Sequence, residues 1–506
     1  MCRFYVHHES WHTEDRIYPT IKGKNVPVTP LPTHNTICLS LPPQPTPIMK
    51  LSVFPTLLLQ LPLISAQEPC DSLCQTAYKA AHASDTSNWV TQNLTTDDPF
   101  YSTPSNTTSL PPGTLLRYES LPRSIVNTQY AIPPGLTLSR LLYTTEDIDR
   151  KPIPATAFIL LPYHSQSPDS ANKTLKTVVW THGTAGRLRE CTPLNNRNLW
   201  YEWQGPYALA QQGYAVIVPD YAGQGSDIPQ GFMYEAGYLH AADAAYSLVA
   251  ARAVLGSLLS EEYVVVGHSE GGMTAWRTNE RLAMPGQEEL LKAGKFLGAV
   301  AEAPALRPLD LIPESVRRAD GGAVGDAVSV LFLQSLAGLF PGQFKIEDWV
   351  TDVVLGRLAL ADTGCLGVAR ALFGNLTAKE LFKSLDWLKL PVVVDWQKRY
   401  NGAGMHPLAA PMLVVQGKAD ILTYANNTEW DFNQTCETNP ESAAELLLYP
   451  EADHDMAALI SQPDFMEWIR NRFDGKPVEK GCRTRTLERI TDNFKSVAAF
   501  YGSVAG

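Results

Sequence analysis

The sequence predicts an α/β protein with a mostly parallel central sheet and an inserted helical cap. From Val178 onward, six short runs of apolar residues alternate with helical stretches. Runs rich in Val and Leu, without polar alternation, are typical of strands buried on both faces of a parallel sheet. The helical stretches supply the crossovers that such strands require. The runs are 178–180, 215–218, 264–266, 297–301, 412–415 and 446–449.

One interval between these runs is too long to be a crossover. Residues 307–410 separate the fourth and fifth runs, and they show helical periodicity over 324–339 and 378–388. This pattern predicts a helical cap or lid that is inserted into the core. The core itself is then expected to consist of residues 113–306 and 411–506.

The chain ahead of the parallel runs is less regular. Two segments, 136–144 and 155–161, are rich in β-forming residues and predict strands. Residues 67–112 are polar and rich in Asn, Thr, Ser and Pro. That composition predicts an irregular N-terminal arm with one helix near Tyr78.

The first 66 residues do not read as part of a folded domain. Residues 1–48 are rich in Pro and Thr and lack hydrophobic periodicity. Residues 49–66 contain a short charged start, an apolar run and a small residue at a cleavage point, which is the pattern of a signal peptide. We therefore expect residues 1–48 to be a disordered, non-native upstream extension and the mature protein to be secreted.

Composition excludes several classes of protein. Of the 506 residues, 44% are hydrophobic and 18% are charged, which supports a full core and excludes a wholly disordered chain. The formal net charge is −11 and no Lys/Arg cluster offsets it, so binding to nucleic acid is not expected. Beyond the signal peptide, no stretch reaches the roughly 18 apolar residues that span a bilayer. We expect a monomer without a transmembrane anchor.

The cysteines and sequons agree with export. Two of the eight cysteines, Cys2 and Cys38, precede the signal peptide. The other six show no zinc-site spacing, so we expect disulfides and no metal, although the sequence leaves the pairing open. These six are Cys70, Cys74, Cys191, Cys365, Cys436 and Cys482. Candidate glycosylation sites are Asn93, Asn106, Asn172, Asn375, Asn426 and Asn433.

A candidate nucleophile follows the third apolar run. The segment 264–272 reads as a strand, the pentapeptide Gly-His-Ser-Glu-Gly around Ser269, and the start of a helix. The flanking Gly267 and Gly271 are needed because a Cβ atom in so tight a turn would clash with the neighbouring strand and helix. Such a turn exposes the serine hydroxyl at the carboxyl end of the sheet. We therefore predict that Ser269 is a catalytic nucleophile.

A serine nucleophile needs a base, and the base needs an acid that orients it. Asp420 follows the fifth run and His454 follows the sixth, so loops at strand ends deliver both side chains to the edge that carries Ser269. Asp453 and Asp455 are weaker candidates for the acid, because neighbours of the base rarely reach its Nδ1. The rival bases are His182, His240, His268 and His406.

The same chemistry needs backbone N–H groups that stabilise an oxyanion. One is expected from Glu270, directly after the nucleophile. The other is expected from the Gly-containing loop 181–186 after the first run, with Thr184 as the first choice and Gly183 as the second. Residues 219–225 after the second run are expected to wall the site or pack beneath it, without a chemical role.

Together these motifs resemble the fungal and bacterial secretory lipase family of α/β hydrolases, over roughly residues 115–482. The resemblance implies the α/β-hydrolase fold, with Ser269, Asp420 and His454 as the catalytic triad and a lid over an acyl pocket. Many relatives carry Gln or Gly where this chain has Glu270, and a carboxylate beside the oxyanion is expected to lower activity on anionic substrates. The motifs are THGTAG (181–186), VPDYAGQGSD (218–227), GHSEGG (267–272), VVQGKAD (414–420) and YPEADHD (449–455).

The resemblance also favours a disulfide pairing. Relatives use a link comparable to one between Cys191 and Cys365, which would tie cap to core. A bond between Cys436 and Cys482 would pin the C-terminal tail against the segment that carries the acid and the base. Cys70 and Cys74 then remain for each other.

The predicted function is that of a secreted serine esterase or lipase, which cleaves carboxylic esters through an acyl-enzyme without a cofactor. Its expected partners are a lipid or small ester substrate and a lipid–water interface. Three alternatives stay open: an esterase for small acetylated metabolites, a serine exopeptidase, and a catalytically inactive binding protein. The apolar residues of the cap suit an acyl chain, but they also suit packing among the cap's own helices.

Overall fold

A computed structural model describes residues 69–165, 174–200, 205–325 and 327–494. The predicted upstream extension, the signal peptide and the sequon at Asn172 lie outside these residues. The other five sequon asparagines are exposed. Within the described part of the chain, no helix is both long and apolar enough to cross a membrane.

Ten strands form one mixed sheet in the order β1-β2-β3-β5-β4-β6-β7-β8-β9-β10. The first three strands and the β3–β5 pair are antiparallel, and every other neighbouring pair is parallel. This architecture confirms the prediction of an α/β fold with a mostly parallel sheet. The strands are β1 Leu115–Ser120, β2 Thr137–Glu146, β3 Pro152–Leu161, β4 Leu175–Thr181, β5 Ala215–Pro219, β6 Leu259–His268, β7 Lys295–Glu302, β8 Met412–Gly417, β9 Ala443–Tyr449 and β10 Gly481–Thr486.

Helices cover both faces of the sheet, and short 3-10 turns connect several of them. The α-helices are α1 Ser72–Asn88, α2 Leu94–Asp97, α3 Arg123–Gln129, α4 Pro206–Gln211, α5 Gly237–Leu255, α6 Glu270–Leu282, α7 Glu288–Leu291, α8 Pro308–Ala319, α9 Val328–Leu339, α10 Asp352–Ala361, α11 Leu366–Phe373, α12 Ala378–Leu381, α13 Pro391–Trp396, α14 Ala425–Thr438, α15 His454–Ile460 and α16 Gln462–Phe473.

Two apolar cores lie on opposite faces of the sheet, because successive strand residues point to opposite sides. Val265 belongs to the core that also contains Leu248 of α5 and Ala275 of α6. Its neighbour Val264 belongs to the core that contains Phe465 of α16. Both valines are almost wholly buried, as the apolar runs predict for strands covered on both faces.

The described part of the segment between β7 and β8 contains the helices α8–α13. The predicted helix over 324–339 corresponds to α9, which begins at Val328. The predicted helix over 378–388 is wrong, since α12 ends at Leu381. Phe382 there is extended and forms a bridge with Val350, so the chain leaves the helix after one turn.

The two edge strands β1 and β10 were not predicted. Strand β10 runs parallel to β9, and Arg483 and Arg485 both pair with Glu445 of that strand, at 2.8 and 2.6 Å. A disulfide between Cys436 and Cys482 joins α14 to the same strand. The segment beyond the last helix is therefore part of the sheet, rather than only a tail.

Two further disulfides are present. One joins Cys70 to Cys74 at the start of α1, and the other joins Cys191 to Cys365. The second links the chain after β4 to the residue that precedes α11, across a sequence separation of 174 residues.

Candidate active site

Ser269 occupies the turn between β6 and α6 in a conformation that few non-glycine residues adopt, with φ 62° and ψ −120°. The neighbouring chain holds it there. Its N–H donates to the Glu302 carbonyl over 2.9 Å, and its carbonyl accepts from the N–H groups of Met273 and Ala305 over 3.0 and 3.2 Å. The strained turn presents the serine side chain to a cavity at the end of the sheet.

The glycines that flank Ser269 are required by close backbone contact. A Cβ atom on Gly267 would lie 2.1 Å from Thr181 Oγ1, and one on Gly271 would lie 1.9 Å from the Thr181 carbonyl oxygen. Thr181 ends β4 and its hydroxyl donates to the Gly271 carbonyl over 2.8 Å. The start of α6 is thus locked against β4, the strand that leads into the predicted oxyanion loop.

His454 and Asp420 form a buried pair. Nδ1 of His454 lies 2.8 Å from Oδ2 of Asp420. His454 is 7% exposed and Asp420 is 3% exposed. A carboxylate only accepts, so Nδ1 carries the proton and Nε2 is left as the basic nitrogen. His454 and Ser269 line the same cavity. The structure therefore brings the predicted nucleophile, base and acid to one edge of the sheet.

Asp420 is held in its ionised form by several donors. The N–H groups of Leu422 and Thr423 donate to Oδ1 over 2.8 and 2.9 Å. The Thr423 hydroxyl and the Gln416 amide donate to Oδ2 over 2.7 and 3.0 Å. Burial alone would raise the pKa of Asp420, but His454 and Thr423 together hold that pKa well below its usual range.

The pair also sets the basicity of His454. Burial acts to lower the pKa of the imidazole, yet the charge and hydrogen bond of Asp420 outweigh it, and the pKa lies above its ordinary value of 6.5. Asp453 does not compete for the ring, because its side chain caps α15 through the Met456 N–H over 2.8 Å. Asp455 lines the cavity.

The rival histidines differ from His454 in that burial lowers their pKa values, whereas the pKa of His454 is raised. His182, His240 and His268 are buried, and burial lowers their pKa values to about 4, 3 and 3. His268 packs on His454 with ring centroids 4.6 Å apart, and its Nε2 donates to the His454 carbonyl over 3.0 Å. His406 lies between α13 and β8 and is partly exposed.

The predicted oxyanion loop borders the cavity at Thr184. Its hydroxyl lies 2.9 Å from the Tyr234 hydroxyl. Beyond it, the Leu366 N–H donates to the Ala185 carbonyl over 2.9 Å, and Gln224 donates to the Gly186 carbonyl over 2.7 Å. The loop is therefore fastened on one side to α11 and on the other to the segment that follows β5.

The Glu270 side chain lies next to the predicted oxyanion loop. It is fully buried, its Oε1 accepts from the Glu235 N–H over 3.2 Å, and its carboxyl also accepts from the Thr184 hydroxyl. The expected effect of this carboxyl on anionic substrates stays a prediction.

Apolar side chains from the segment between β7 and β8 cover the cavity. They come from α8, α9 and α11 and include Leu311, Ile312, Val328, Phe332 and Leu366. One cation, Arg370 of α11, and two acids, Glu235 and Asp455, share the lining. The site thus combines polar groups, including Ser269 and His454, with mostly apolar side chains from the inserted segment.

The described residues include one cluster with metal-ligand spacing, in which ligand atoms of His268, His454 and Asp455 lie within 4.8 Å of one another. His454 Nδ1 and His268 Nε2 are already engaged, with Asp420 and the His454 carbonyl respectively. The cluster includes His454 itself and therefore belongs to the candidate active site rather than to a separate centre.

Sequence reasoning missed Thr423, Gln416 and Tyr234. Thr423 follows Asp420 by three residues, a spacing at which a hydroxyl and an N–H commonly return to an aspartate side chain. Tyr234 carries no comparable local signal, because its partner Thr184 lies 50 residues away in sequence. Gln416 lies four residues before Asp420, but a single glutamine at that spacing does not by itself identify a donor.

Fold and site geometry define an α/β hydrolase, and the chain belongs to the alpha/beta hydrolase family, whose model matches residues 178–467. Among characterised proteins it is similar to the secreted triacylglycerol lipase LIP4 of Malassezia globosa, with 23% identity over 81% of this chain and 88% of the lipase. It is also similar to lipase A of Arthroderma benhamiae, with 22% identity over 77% of this chain and 82% of the relative.

Solved structures share the fold. Candida antarctica lipase A superposes with a TM-score of 0.59 at 16% identity, over 79% of this chain and 91% of that structure. The rice cell wall degrading esterase LipA from Xanthomonas oryzae gives a TM-score of 0.54 at 17% identity, over 72% and 99%. These similarities confirm the predicted resemblance to lipase-like α/β hydrolases and agree with the expected class, a carboxylic ester hydrolase.

Proposed function

We propose that this chain is a secreted serine esterase or lipase that cleaves carboxylic esters through an acyl-enzyme. One observation carries the proposal: Ser269 in its strained turn and His454, which is paired with the buried Asp420, line a single cavity with mostly apolar walls. A nucleophile, a base and an orienting acid in this arrangement are the requirements for acyl transfer.

The reaction follows from the proton positions. Ser269 Oγ attacks the ester carbonyl carbon while Nε2 of His454 takes the hydroxyl proton, and a tetrahedral oxyanion forms. The intermediate collapses when the C–O bond to the alcohol breaks and His454 returns its proton to the departing alkoxide oxygen. A water molecule then repeats the sequence on the acyl-enzyme, which releases the carboxylic acid and restores Ser269.

The oxyanion is assigned to the N–H groups of Glu270 and Thr184, with Gly183 as the second choice for the latter. Peptide geometry supports Thr184. His182 Nδ1 donates to the Gly183 carbonyl over 2.8 Å, and in a trans peptide the following N–H points the opposite way. The Thr184 N–H therefore points away from the buried His182 ring, and Thr184 itself lines the cavity.

The substrate is assigned as a lipid or shorter carboxylic ester with an apolar acyl group. Leu311, Ile312, Val328, Phe332 and Leu366 line the cavity and offer such a group contact with carbon rather than with water. The relatives named triacylglycerol lipases favour a fatty acyl chain. A small acetyl ester remains the second candidate substrate.

Export is part of the proposal. The three disulfides fit an oxidising compartment, where such bonds persist. The five exposed sequon asparagines fit glycosylation on the secretory route. Relatives that carry the word secreted in their names support the same assignment.

A panel of p-nitrophenyl esters from acetate to palmitate tests the proposal, with the Ser269→Ala protein as the blank. Aminoacyl p-nitroanilides run beside them test for an exopeptidase. We expect ester turnover that vanishes in Ser269→Ala and no anilide cleavage. Turnover only of the acetate would assign the small-ester alternative, and an inert wild-type protein that is folded would refute the proposal.

A further inference from the structure

One buried hydroxyl on α14 contacts both residues whose side chains donate to Asp420, the acid of the proposed triad, apart from His454. These residues are Gln416 and Thr423, which donate to Oδ2. Thr428 is 1% exposed, and its Oγ1 donates to Oε1 of Gln416 over 2.8 Å. The same hydroxyl lies 3.3 Å from the Thr423 carbonyl oxygen. It is therefore one hydrogen bond behind each of these donors.

The hydrogen bonds of Gln416 fix the orientation of its amide. Gln416 is fully buried near the end of β8, and its Nε2 donates to Oδ2 of Asp420 over 3.0 Å and to the Gly417 carbonyl over 3.2 Å. A carboxylate and a carbonyl only accept, and the amide nitrogen carries two hydrogens. Oε1 therefore faces the other way and needs a donor, which Thr428 supplies. The opposite orientation would set Oε1 against two acceptors.

The Thr428 hydroxyl has a single proton, so its shorter bond, to Gln416, is the main one. Loss of the hydroxyl would leave Oε1 as a buried acceptor without this donor, and such an atom costs free energy. The amide relieves that cost only when it turns away from Asp420. The weaker contact acts in the same direction, because the Thr423 N–H and hydroxyl both bind Asp420.

Helix α14 gives this hydroxyl a firm support. Thr428 lies in the first turn of the helix, and the Cys436–Cys482 disulfide joins the same helix to β10. Directly before the helix, the Tyr424 hydroxyl donates to Ser315 Oγ of α8 over 3.0 Å. The element that carries Thr428 is thus fastened both to the sheet and to the inserted segment.

We propose that Thr428 is a positioning residue that holds Gln416 and Thr423 against Asp420, so that helix α14 fixes the acid of the triad. This inference rests on the proposed function. Thr428 acts through Gln416 and Asp420 rather than on the ester. The donors turn the positive ends of their dipoles toward Asp420, which stabilises the carboxylate and at the same time opposes protonation of His454.

The protonation of His454 therefore reports the positioning. When the Gln416 amide leaves Asp420, less of the carboxylate charge is balanced, and the pKa of His454 should rise. Protonated His454 cannot accept the Ser269 proton, so the acid limb of kcat/KM should move to higher pH. The other charged or titratable groups around His454 are kept in every variant below, and they are Asp453 and Asp455 of the same segment, His268 of β6 and Arg370 of α11.

The main test compares Thr428→Val with Thr428→Ser by the pH profile of kcat/KM on p-nitrophenyl butyrate, with folding checked by circular dichroism. Valine keeps the shape and removes the hydroxyl, and we expect the acid limb to move upward by about 0.3 pH unit or more. Serine keeps the hydroxyl and should keep the wild-type limb. An unmoved limb in folded Thr428→Val, or an equal shift in Thr428→Ser, would overturn the inference.

Thr428 also completes the sequon at Asn426, so valine removes a candidate glycosylation site together with the hydroxyl. Asn426→Gln removes the sequon and keeps the hydroxyl, which makes it the matched control. Its acid limb should coincide with that of wild type. A limb that moves as far in Asn426→Gln as in Thr428→Val would assign the effect to the sequon and refute the role of the hydroxyl.

Gln416→Met covers the case in which Thr428→Val does not fold. Methionine has a similar length and cannot donate to Asp420, so the acid limb should again move upward. Where both single variants fold, the double variant should shift the limb by less than the sum of the two, since both act on one amide. A limb that stays in place in Gln416→Met, or shifts that add in full, would contradict the path through the amide.

A measurement without substrate separates this inference from the proposed function. If wild type shows no ester turnover that Ser269→Ala abolishes, the proposed function fails. His454 is then titrated by proton NMR through the low-field resonance of its Nδ1–H, which His454→Ala identifies by removing it. The midpoint should be higher in Thr428→Val than in wild type and unchanged in Thr428→Ser. Equal midpoints in wild type and Thr428→Val would show that Thr428 does not position the acid.

Discussion

His454 donates from Nδ1 to Oδ2 of Asp420 over 2.8 Å, and both side chains are largely buried. The bond fixes the tautomer, so the nitrogen that remains basic is Nε2. The same carboxylate receives two N–H groups and two side-chain donors, and it is therefore rigid and ionised before substrate arrives. Because the imidazole is already oriented, no entropy is lost in positioning the base during the reaction.

The first prediction concerns the three catalytic side chains. Ser269→Ala and His454→Ala should each lower kcat on p-nitrophenyl butyrate by about 10⁴-fold or more, because each removes a group that forms or breaks a bond. Asp420→Asn should cost less, since nucleophile and base remain. Melting curves serve as the control for folding. Full activity in Ser269→Ala would exclude the assignment.

The second prediction concerns pH. Protonated His454 cannot accept the Ser269 proton, so kcat/KM should be lost as pH falls through the His454 pKa, which Asp420 raises above 6.5. Asp420→Asn removes the charge that raises it, and the acid limb should move to lower pH. An acid limb that stays in place in the variant would show that another group controls it.

The third prediction concerns the turn at the nucleophile. Gly271→Ala places a Cβ atom 1.9 Å from the Thr181 carbonyl oxygen, so helix α6 must shift and activity should be lost. We expect destabilisation of about 1–3 kcal/mol from the clash. Gly342→Ala is the matched control, because nothing lies within 4 Å of its added Cβ atom. Equal melting temperatures and rates for the two variants would contradict the packing described here.

The fourth prediction concerns the disulfide beside the oxyanion loop. A Cβ atom on Gly186 would lie 2.7 Å from Cys191 Sγ and 2.9 Å from Cys365 Cα, so the bond packs directly on the loop. Replacement of both Cys191 and Cys365 by Ser should lower kcat, and the factor by which kcat falls should exceed the factor by which KM changes. The same replacement of Cys70 and Cys74, remote from the loop in sequence, should leave kcat unchanged.

The fifth prediction concerns stability. The Cys436–Cys482 bond closes a loop of 46 residues, for which the chain-entropy relation gives about 4 kcal/mol as an upper figure. Reduction should therefore lower the melting temperature and remove activity before global unfolding, since the bond joins α14 and β10 next to the segments that carry Asp420 and His454. Non-reducing peptide mapping that finds Cys436 free would contradict this arrangement.

The central strands were predictable because burial on both faces requires a local run of apolar residues. Apolar runs such as 264–266 and 412–415 fall within β6 and β8, where both faces are covered. Strand β10 has no such run, since most of its residues are exposed. It is held instead by an ion pair and a disulfide to residues that are distant in sequence. The wrong helix over 378–388 has the same cause, because Phe382 pairs with Val350 far away in sequence.

The placement of Ser269, Asp420 and His454 at one edge of the sheet was predictable from strand ends and chain order, but the residues that support them were not. Nothing in the sequence places Tyr234 on Thr184, because that contact depends on how loops after different strands meet. Gln416 lies only four residues before Asp420, yet a glutamine at that spacing is not a recognisable signal for a donor.

The most direct test of the account is covalent labelling with a fluorophosphonate ester, followed by peptide mapping and an assay of the remaining activity. The reagent phosphonylates a serine that an adjacent histidine activates. We predict that one label is incorporated per chain, that it resides on Ser269, and that ester hydrolysis falls in proportion to labelling. Labelling at another residue, or full hydrolysis by a protein that is fully labelled at Ser269, would contradict the account.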